Sequence, residues 1–233
     1  MKHLIETTDL SSLGNAKYDR LILDSTKNEI VYMGGVKYEY VDLGLRSGLK
    51  WAKCNLGAEK ETDYGYYFQW GSTKANTPNE CTWSNAPFNN KSDSYNEEYF
   101  NKHKSKWLDD NNNLKPEYDA ASHIMGGDWR MPTKAELQEL IDYTTNEWIT
   151  NYNGTVVNGR KFTGLNGNSI FIPAAGICVD GEVYDVYDYG YVWSSSLFTS
   201  WPKNAWYLGL GSDNCNMNDY FRYNGRSVRG VRK

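Results

Sequence analysis

Four cysteines and three histidines are the side chains of this 233-residue sequence with the widest chemical reach. Cys54, Cys81, Cys178 and Cys215 lie far apart with no CxxC pair, and His3, His103 and His123 sit in dissimilar contexts. Metal centres need Cys and His at short, recurrent spacings, so this scatter predicts no bound metal, no cofactor and no disulfide framework. The thiols read as mostly free and partly buried, with a single bridge involving Cys54 or Cys178 left open. No serine stands in a G-x-S-x-G turn. Carboxylates cluster at Asp109-Asp110 and in the run Asp180, Glu182, Asp185, Asp188. Glycoside hydrolysis needs two convergent carboxylates, and an EF-hand loop needs regular Asp/Asn spacing with a glycine. The acidic run has neither pattern and reads as a solvated face, with a structural Ca²⁺ as the alternative.

The elements that must position these residues are short. Leu21 to Leu23, the polar stretch Asp24 to Asn28, and Ile30 to Tyr32 make a hairpin pattern. That hairpin opens a separate N-terminal segment, residues 1–35, which reads as an attachment or oligomerisation element or as an edge of the main domain. From Tyr38 onward, glycines 44, 48, 57, 65 and 71 punctuate turns. Residues 72–114 read as long polar loops pinned by Trp83, Phe88, Tyr95, Phe100 and Trp107. One helix is predicted from Thr133, where T-x-x-E (Thr133, Glu136) forms a capping box, with Ala135, Leu137, Leu140, Ile141 and Thr144 as the buried stripe. Strands are expected at 155–163, 168–173, 190–196, 204–210 and 226–232, separated by Asn-Gly and Asp-Gly turns. The fold class is therefore α+β, with short antiparallel strands, few helices and long loops.

Composition agrees. A hydrophobic fraction of 39% and a mean hydropathy of −0.72 look thin for a core, yet 9 Trp, 19 Tyr and 7 Phe each bury a large area. The net charge of −4 gives no footprint for nucleic acid. Arg222, Arg226, Arg229, Arg232 and Lys233 form a local basic run read as structural. No stretch is apolar and long enough for a membrane span, and MKHLIETTDLSSLG lacks the apolar region of a signal peptide. The expectation is a chain that is not exported by an ordinary secretion signal.

From Tyr189 to Lys233 two kinds of position alternate. Trp193, Ser194, Ser195, Ala205, Trp206, Leu208, Met217, Gly225, Val228 and Val231 look architectural. Between them stand Tyr, Phe, Trp, Asn, Asp, Ser and Gly, the types that recognition surfaces favour. The alternative is that Tyr207, Tyr220, Phe221 and Tyr223 belong to an aromatic-rich core.

Four ordered blocks carry a resemblance: VDLGLRSGLKWAKCNLGA with YGYYFQWG, LKPEYDAASHIMGGDWRMPTKAELQEL, IFIPAAG, and VWSSS…NAWYL…RYNGRSVRGVR. Together they resemble the major paralogous domain of Bacteroidetes and Fibrobacter proteins, which is similar to the formylglycine-generating branch of the C-type lectin fold. The terminal block is similar to the variable region of proteins diversified by retroelements, in which adenine mutation turns Asn codons into Tyr, Phe, Ser, Asp or Gly. The resemblance implies a C-type-lectin-like domain at 36–233 whose variable region spans about 189–224. On that pattern Asn214, Asn216 and Asn218 stand as unaltered template residues. Tyr191, Phe198, Ser200, Tyr207, Gly209, Gly211, Asp219, Tyr220 and Phe221 stand as substituted ones. Trp201, whose codon cannot arise from Asn by adenine changes alone, joins them as a ligand-binding candidate.

The resemblance further implies a non-catalytic protein that binds a cell-surface protein or glycan. It would act either on a virion, at a phage or prophage tail to which residues 1–35 attach it or join it to sister subunits, or on a bacterial cell surface. The formylglycine-generating relatives use paired cysteines near the C-terminal end. Here Cys215 stands alone among the variable positions, which disfavours that activity. The chain also lacks the Gln-Pro-Asp and Glu-Pro-Asn tripeptides of calcium-dependent sugar-binding lectins.

Overall fold

A computed structural model describes residues 38–233 and, before them, the backbone of β1 (Lys2–Leu4), β2 (Leu21–Asp24) and β3 (Glu29–Tyr32). The chain divides into two compact units, Met1–Tyr38 and Glu39–Lys233. In the first, β1, β2 and β3 form an antiparallel sheet in that order, with Leu21 opposite Tyr32. The hairpin read from residues 21–32 forms, while its turn at 25–28 lies outside the described residues.

The second unit begins with the antiparallel pair β4 (Tyr40–Asp42) and β5 (Lys50–Ala52). Three helices follow: α1 (Glu97–Trp107), α2 (Ala120–Met125) and α3 (Lys134–Asp142). Next come the meander β6 (Thr145–Ile149), β7 (Gly159–Thr163) and β8 (Ser169–Pro173), then the hairpin β9 (Ile177–Val179) and β10 (Glu182–Tyr184). The last sheet is β11 (Gly190–Leu197), β12 (Asn204–Leu210) and β13 (Cys215–Phe221), and β14 (Val231–Arg232) returns to pair with β5. Short antiparallel strands, few helices and long connections make this the α+β architecture expected.

Two differences from the sequence reading have local causes. Residues 97–107 form a helix where loops were expected. Asn96 caps it by accepting from the Tyr99 amide, Glu97 and Glu98 favour its N-terminus, and Phe100 and Trp107 are buried one heptad apart on one side. In α3 the capping box forms as read, with Leu137 and Leu140 buried, but Ala135 is exposed. Helix α3 lies on the β11–β13 sheet, and Ala135 is off the stripe that faces it.

That sheet separates two cores. Strand side chains alternate between faces, so register assigns each residue a side. Val192, Leu208 and Leu210 join Leu43, Trp51, Leu137, Leu140, Phe162, Ile170 and Ile172 on one side. Trp193 and Ala205 join Phe68, Trp70, Phe100 and Val228 on the other. The serines that follow Trp193 fit because their polar atoms are bonded. Ser194 Oγ donates to the Trp206 carbonyl, and the Ser195 amide donates to the Pro132 carbonyl. Trp70 and Trp193 lock the sheet to β-bridge residues, their indole N–H groups donating to the Ser194 and Phe68 carbonyls.

Candidate ligand-binding face

Residues 215–221, part of the expected variable region but not among the expected strands, form strand β13. The signal was in the sequence: Cys215 and Met217 pack against one core, while Asn216, Asn218 and Tyr220 alternate to the other side. Register then builds rows across that side. Tyr191 lies opposite Gly209, which lies opposite Asn216; Trp193 opposite Tyr207, which lies opposite Asn218; Ala205 opposite Tyr220. The Asn218 amide donates to Asn216 Oδ1 at 2.8 Å, as side chains two residues apart on one face can. At the strand's polar end Asn214 sits exposed in the β12–β13 turn, its carbonyl accepting from the Gly211 amide.

Ring contacts continue along the surface. Tyr189 stacks near Tyr191 at 6.3 Å, Tyr191 meets Tyr207 edge-on at 5.7 Å, and Tyr220 lies 4.7 Å from Phe221. Phe221 continues to Tyr223 at 5.8 Å, and Tyr223 to Trp83 at 4.9 Å. Tyr220 is 47% exposed and Tyr189 41%; Tyr191, Tyr207, Phe221, Tyr223 and Trp83 are half-buried. Of these, Tyr189, Tyr223 and Trp83 were not among the expected site residues. Trp83 comes from the segment before α1, 138 positions from Phe221 in numbering, and nothing local in the sequence marks it.

Beneath the rings runs Arg226, buried to 1%. Its guanidinium carbon is 3.9 Å from the Tyr207 ring centroid, 4.7 Å from Trp193, 5.0 Å from Tyr191 and 5.8 Å from Tyr220. Among the described residues its Nε and Nη1 have no hydrogen-bond partner, and four ring faces lie against the guanidinium instead. Burial pulls its pKa down to about 10, with Tyr207, Tyr191 and Tyr220 acting in the other direction. Arg222 and Arg229 are buried too, so three of the five members of the basic run are structural, as read, while Arg232 is half-buried and Lys233 exposed. Arg229 donates to Asn55 Oδ1 and to the carbonyls of Ala52, Lys53 and Phe171. Arg222 donates to the carbonyls of Pro202 and Pro87 and lies 4.3 Å from the Phe100 ring centroid.

The acidic run is exposed at all four carboxylates, as read, and two of them also meet this face. Asp185 accepts from the Tyr191 hydroxyl at 2.7 Å, and Asp180 from the Tyr223 hydroxyl at 3.4 Å. Burial, followed by the Asp185 carboxylate, raises the Tyr191 pKa, so the phenol stays protonated and donating.

Several expected positions stand elsewhere. Asp219 and Trp206 are cross-strand partners on the opposite side of the sheet, where Asp219 accepts from Asn204 Nδ2. Phe198 meets Trp206 edge-on at 5.0 Å, and Lys134 Nζ lies 4.2 Å from the Trp206 ring centroid. Trp206, read as architectural, is only half-buried, because it lies at the sheet's end near α3 rather than over either core. Gly209 and Gly211 are buried rather than exposed. Tyr207 and Asn218 close over Gly209, and the Tyr189 ring covers Gly211, where an added Cβ would meet it at 2.8 Å. Ser200 and Trp201 are exposed in the turn after β11, with Trp201 at 64%. Lys203 joins that turn to the face, its Nζ 5.6 Å from Trp201 and 5.0 Å from Phe221.

Cys215 turns inward, and burial raises its pKa to about 11, so its thiol holds its proton near neutrality. Among the described residues no group of three or more His, Cys, Asp or Glu side chains is placed to hold a metal, and no helix is long and apolar enough to cross a membrane. A hollow of about 670 Å³ is lined by residues including Gly71, Ser84, Phe88, Tyr99 and Trp107. Comparison with curated proteins and with solved structures returns no match. The Lcl C-terminal domain is the family that does match, over residues 43–232, which take in every strand and helix described above from α1 to β14; the chain belongs to that family.

Proposed function

We propose that this chain is a non-catalytic ligand-binding protein that displays a diversified aromatic surface on a C-type-lectin-like scaffold. The observation that carries this reading is a pair of ring series, Tyr189–Tyr191–Tyr207 and Tyr220–Phe221–Tyr223–Trp83, that meet over Arg226. Rigid aromatics flanked by Asn and Asp suit a macromolecular ligand, because they give large contact area at low entropic cost beside adaptable hydrogen bonding. A sheet fixed from behind by the core under Val192, Leu208 and Leu210 lets exposed side chains such as Asn216 and Tyr220 change while the scaffold holds.

The ligand is a cell-surface protein or glycan, and the face is Tyr191, Tyr207, Asn214, Asn216, Asn218, Tyr220 and Phe221, with Ser200 and Trp201 on the adjoining turn. Residues 1–35 attach the domain to a phage or prophage tail, or to sister subunits; display on a bacterial cell surface is the second placement. Fluorescently labelled full chain, incubated with a panel of Bacteroidetes cells, tests the reading. The wild type stains at least one strain, and the double variant Tyr220→Ser, Phe221→Ser loses about 100-fold in apparent affinity, as loss of two anchors implies. Equal staining by both proteins would remove the face from the account.

A further inference from the structure

We propose that Cys81 and Cys178 form a structural disulfide in the mature protein. The two sulfurs lie 2.9 Å apart, both residues fully buried, although 97 positions separate them in the chain. Non-bonded heavy atoms ordinarily pack at about 3.5–4.0 Å. A sub-ångström approach would bring this pair to the roughly 2.05 Å of a disulfide bond. Two thiols acting only as small core hydrophobes have no need of such proximity.

The backbone fixes both partners independently of the sulfurs. Cys178 exchanges two hydrogen bonds with Gly225, amide to carbonyl in each direction, at 2.9 and 2.8 Å. The Cys81 carbonyl accepts from the Asp180 amide, and the Pro78 carbonyl accepts from the Gly181 amide. Gly225 leaves the room the pair needs: a Cβ there would meet Cys81 Sγ at 2.6 Å and Cys178 Cβ at 2.9 Å. The bond would join the segment carrying Trp83 to the hairpin carrying Asp180, two supports of the Tyr223 edge of the face. It concerns the covalent state of the chain and holds whether or not the face binds a ligand.

Closure is a two-electron oxidation by exchange with a disulfide-bearing oxidant. One cysteine thiolate attacks a sulfur of the oxidant and displaces the other sulfur as a thiolate. The second cysteine thiolate then attacks the mixed disulfide, forms the Sγ–Sγ bond and releases the rest of the oxidant. The two thiol protons end on the two released thiols. Full burial in the folded chain places this exchange during folding.

The test is thiol mapping of the full chain produced in an oxidising periplasm, alkylated under denaturing conditions without reductant. Two of the four cysteines, Cys54 and Cys215, are alkylated, the intact mass is about 2 Da below that of the dithiol before alkylation, and a peptide linking Cys81 to Cys178 is recovered. Reductant lowers Tm by about 10 °C in the wild type and leaves Cys81→Ser unshifted. Alkylation of all four cysteines, or a linkage through Cys54 or Cys215, overturns the proposal. Because the mapping uses the wild type alone, it decides the matter even if Cys81→Ser does not fold.

Discussion

The Arg226 guanidinium lies 3.9 Å from the ring centroid of Tyr207, nearer than to Trp193, Tyr191 or Tyr220. A buried cation thus props the aromatic face from below, with ring faces where a carboxylate would ordinarily stand. Cation–π contact is worth up to about 2 kcal/mol when desolvated, whereas removing a charge from water costs several. The net support is therefore packing more than charge.

This division predicts a difference between two substitutions. Arg226→Met keeps the bulk and should stay within about 1 kcal/mol of the wild type, as replacement of buried charges by matched apolar groups often does. Arg226→Ala empties the space under four rings and should cost about 3–5 kcal/mol. Thermal unfolding with near-ultraviolet circular dichroism reads both. Equal destabilisation by Met and Ala would mean that the charge itself holds the rings.

Scaffold and surface should separate in the same assay. Trp193 is fully buried and its indole N–H donates to the Phe68 carbonyl, so Trp193→Ala should cost about 3–5 kcal/mol. Tyr220→Ser, at an exposed position, should shift stability by about 0.5 kcal/mol or less. Trp206→Ala should fall between them, at about 1–2 kcal/mol, since Trp206 is half-buried under Lys134 and Phe198. An inverted order between Trp193 and Tyr220 contradicts the assignment of sides.

Acid should act through Glu136. Burial works against its charge, but the Arg130 fork at 2.6 and 2.7 Å and the Thr133 amide at 2.8 Å outweigh it, and the carboxyl titrates below its ordinary range. A lowered folded pKa gives stability that is present above the unfolded value of about 4.3 and lost as pH falls through the folded one. Asp119 opposes this, because burial raises its pKa and its ionisation weakens the fold at higher pH. Glu136→Gln should therefore sit about 1–2 kcal/mol below the wild type at pH 7 and converge on it as pH falls below the unfolded value of about 4.3 and through the lowered folded one. A gap that persists unchanged to pH 3 means the Arg130–Glu136 pair contributes nothing through ionisation.

Much of this architecture was legible along the chain, and the exceptions have physical causes. The Thr133–Glu136 box is a local signal and marks α3 to the residue. Strands were expected at 190–196 and 204–210, and β11 and β12 form at Gly190–Leu197 and Asn204–Leu210. Strand β13 was obscured because its inward residues are Cys215 and Met217 among polar neighbours, and helix α1 because Lys and Asn dominate its exposed side. Arg226 could be read as structural, but its place beneath Tyr191, Tyr207 and Tyr220 depends on three strands meeting. The Cys81–Cys178 approach likewise depends on Gly225, which joins segments no spacing rule connects.

The central claim is that the side of the sheet bearing Tyr191, Tyr207 and Tyr220 is a diversified binding surface. Deep sequencing of the codons for residues 189–224 across a population of the source organism or its phage tests it most directly. The account predicts that amino-acid changes concentrate at Tyr191, Tyr207, Asn214, Asn216, Asn218 and Tyr220, with Trp193, Ala205, Leu208 and Arg222 unchanged. Changes spread evenly over both sets, or absent from the surface set while present in the buried one, would contradict it.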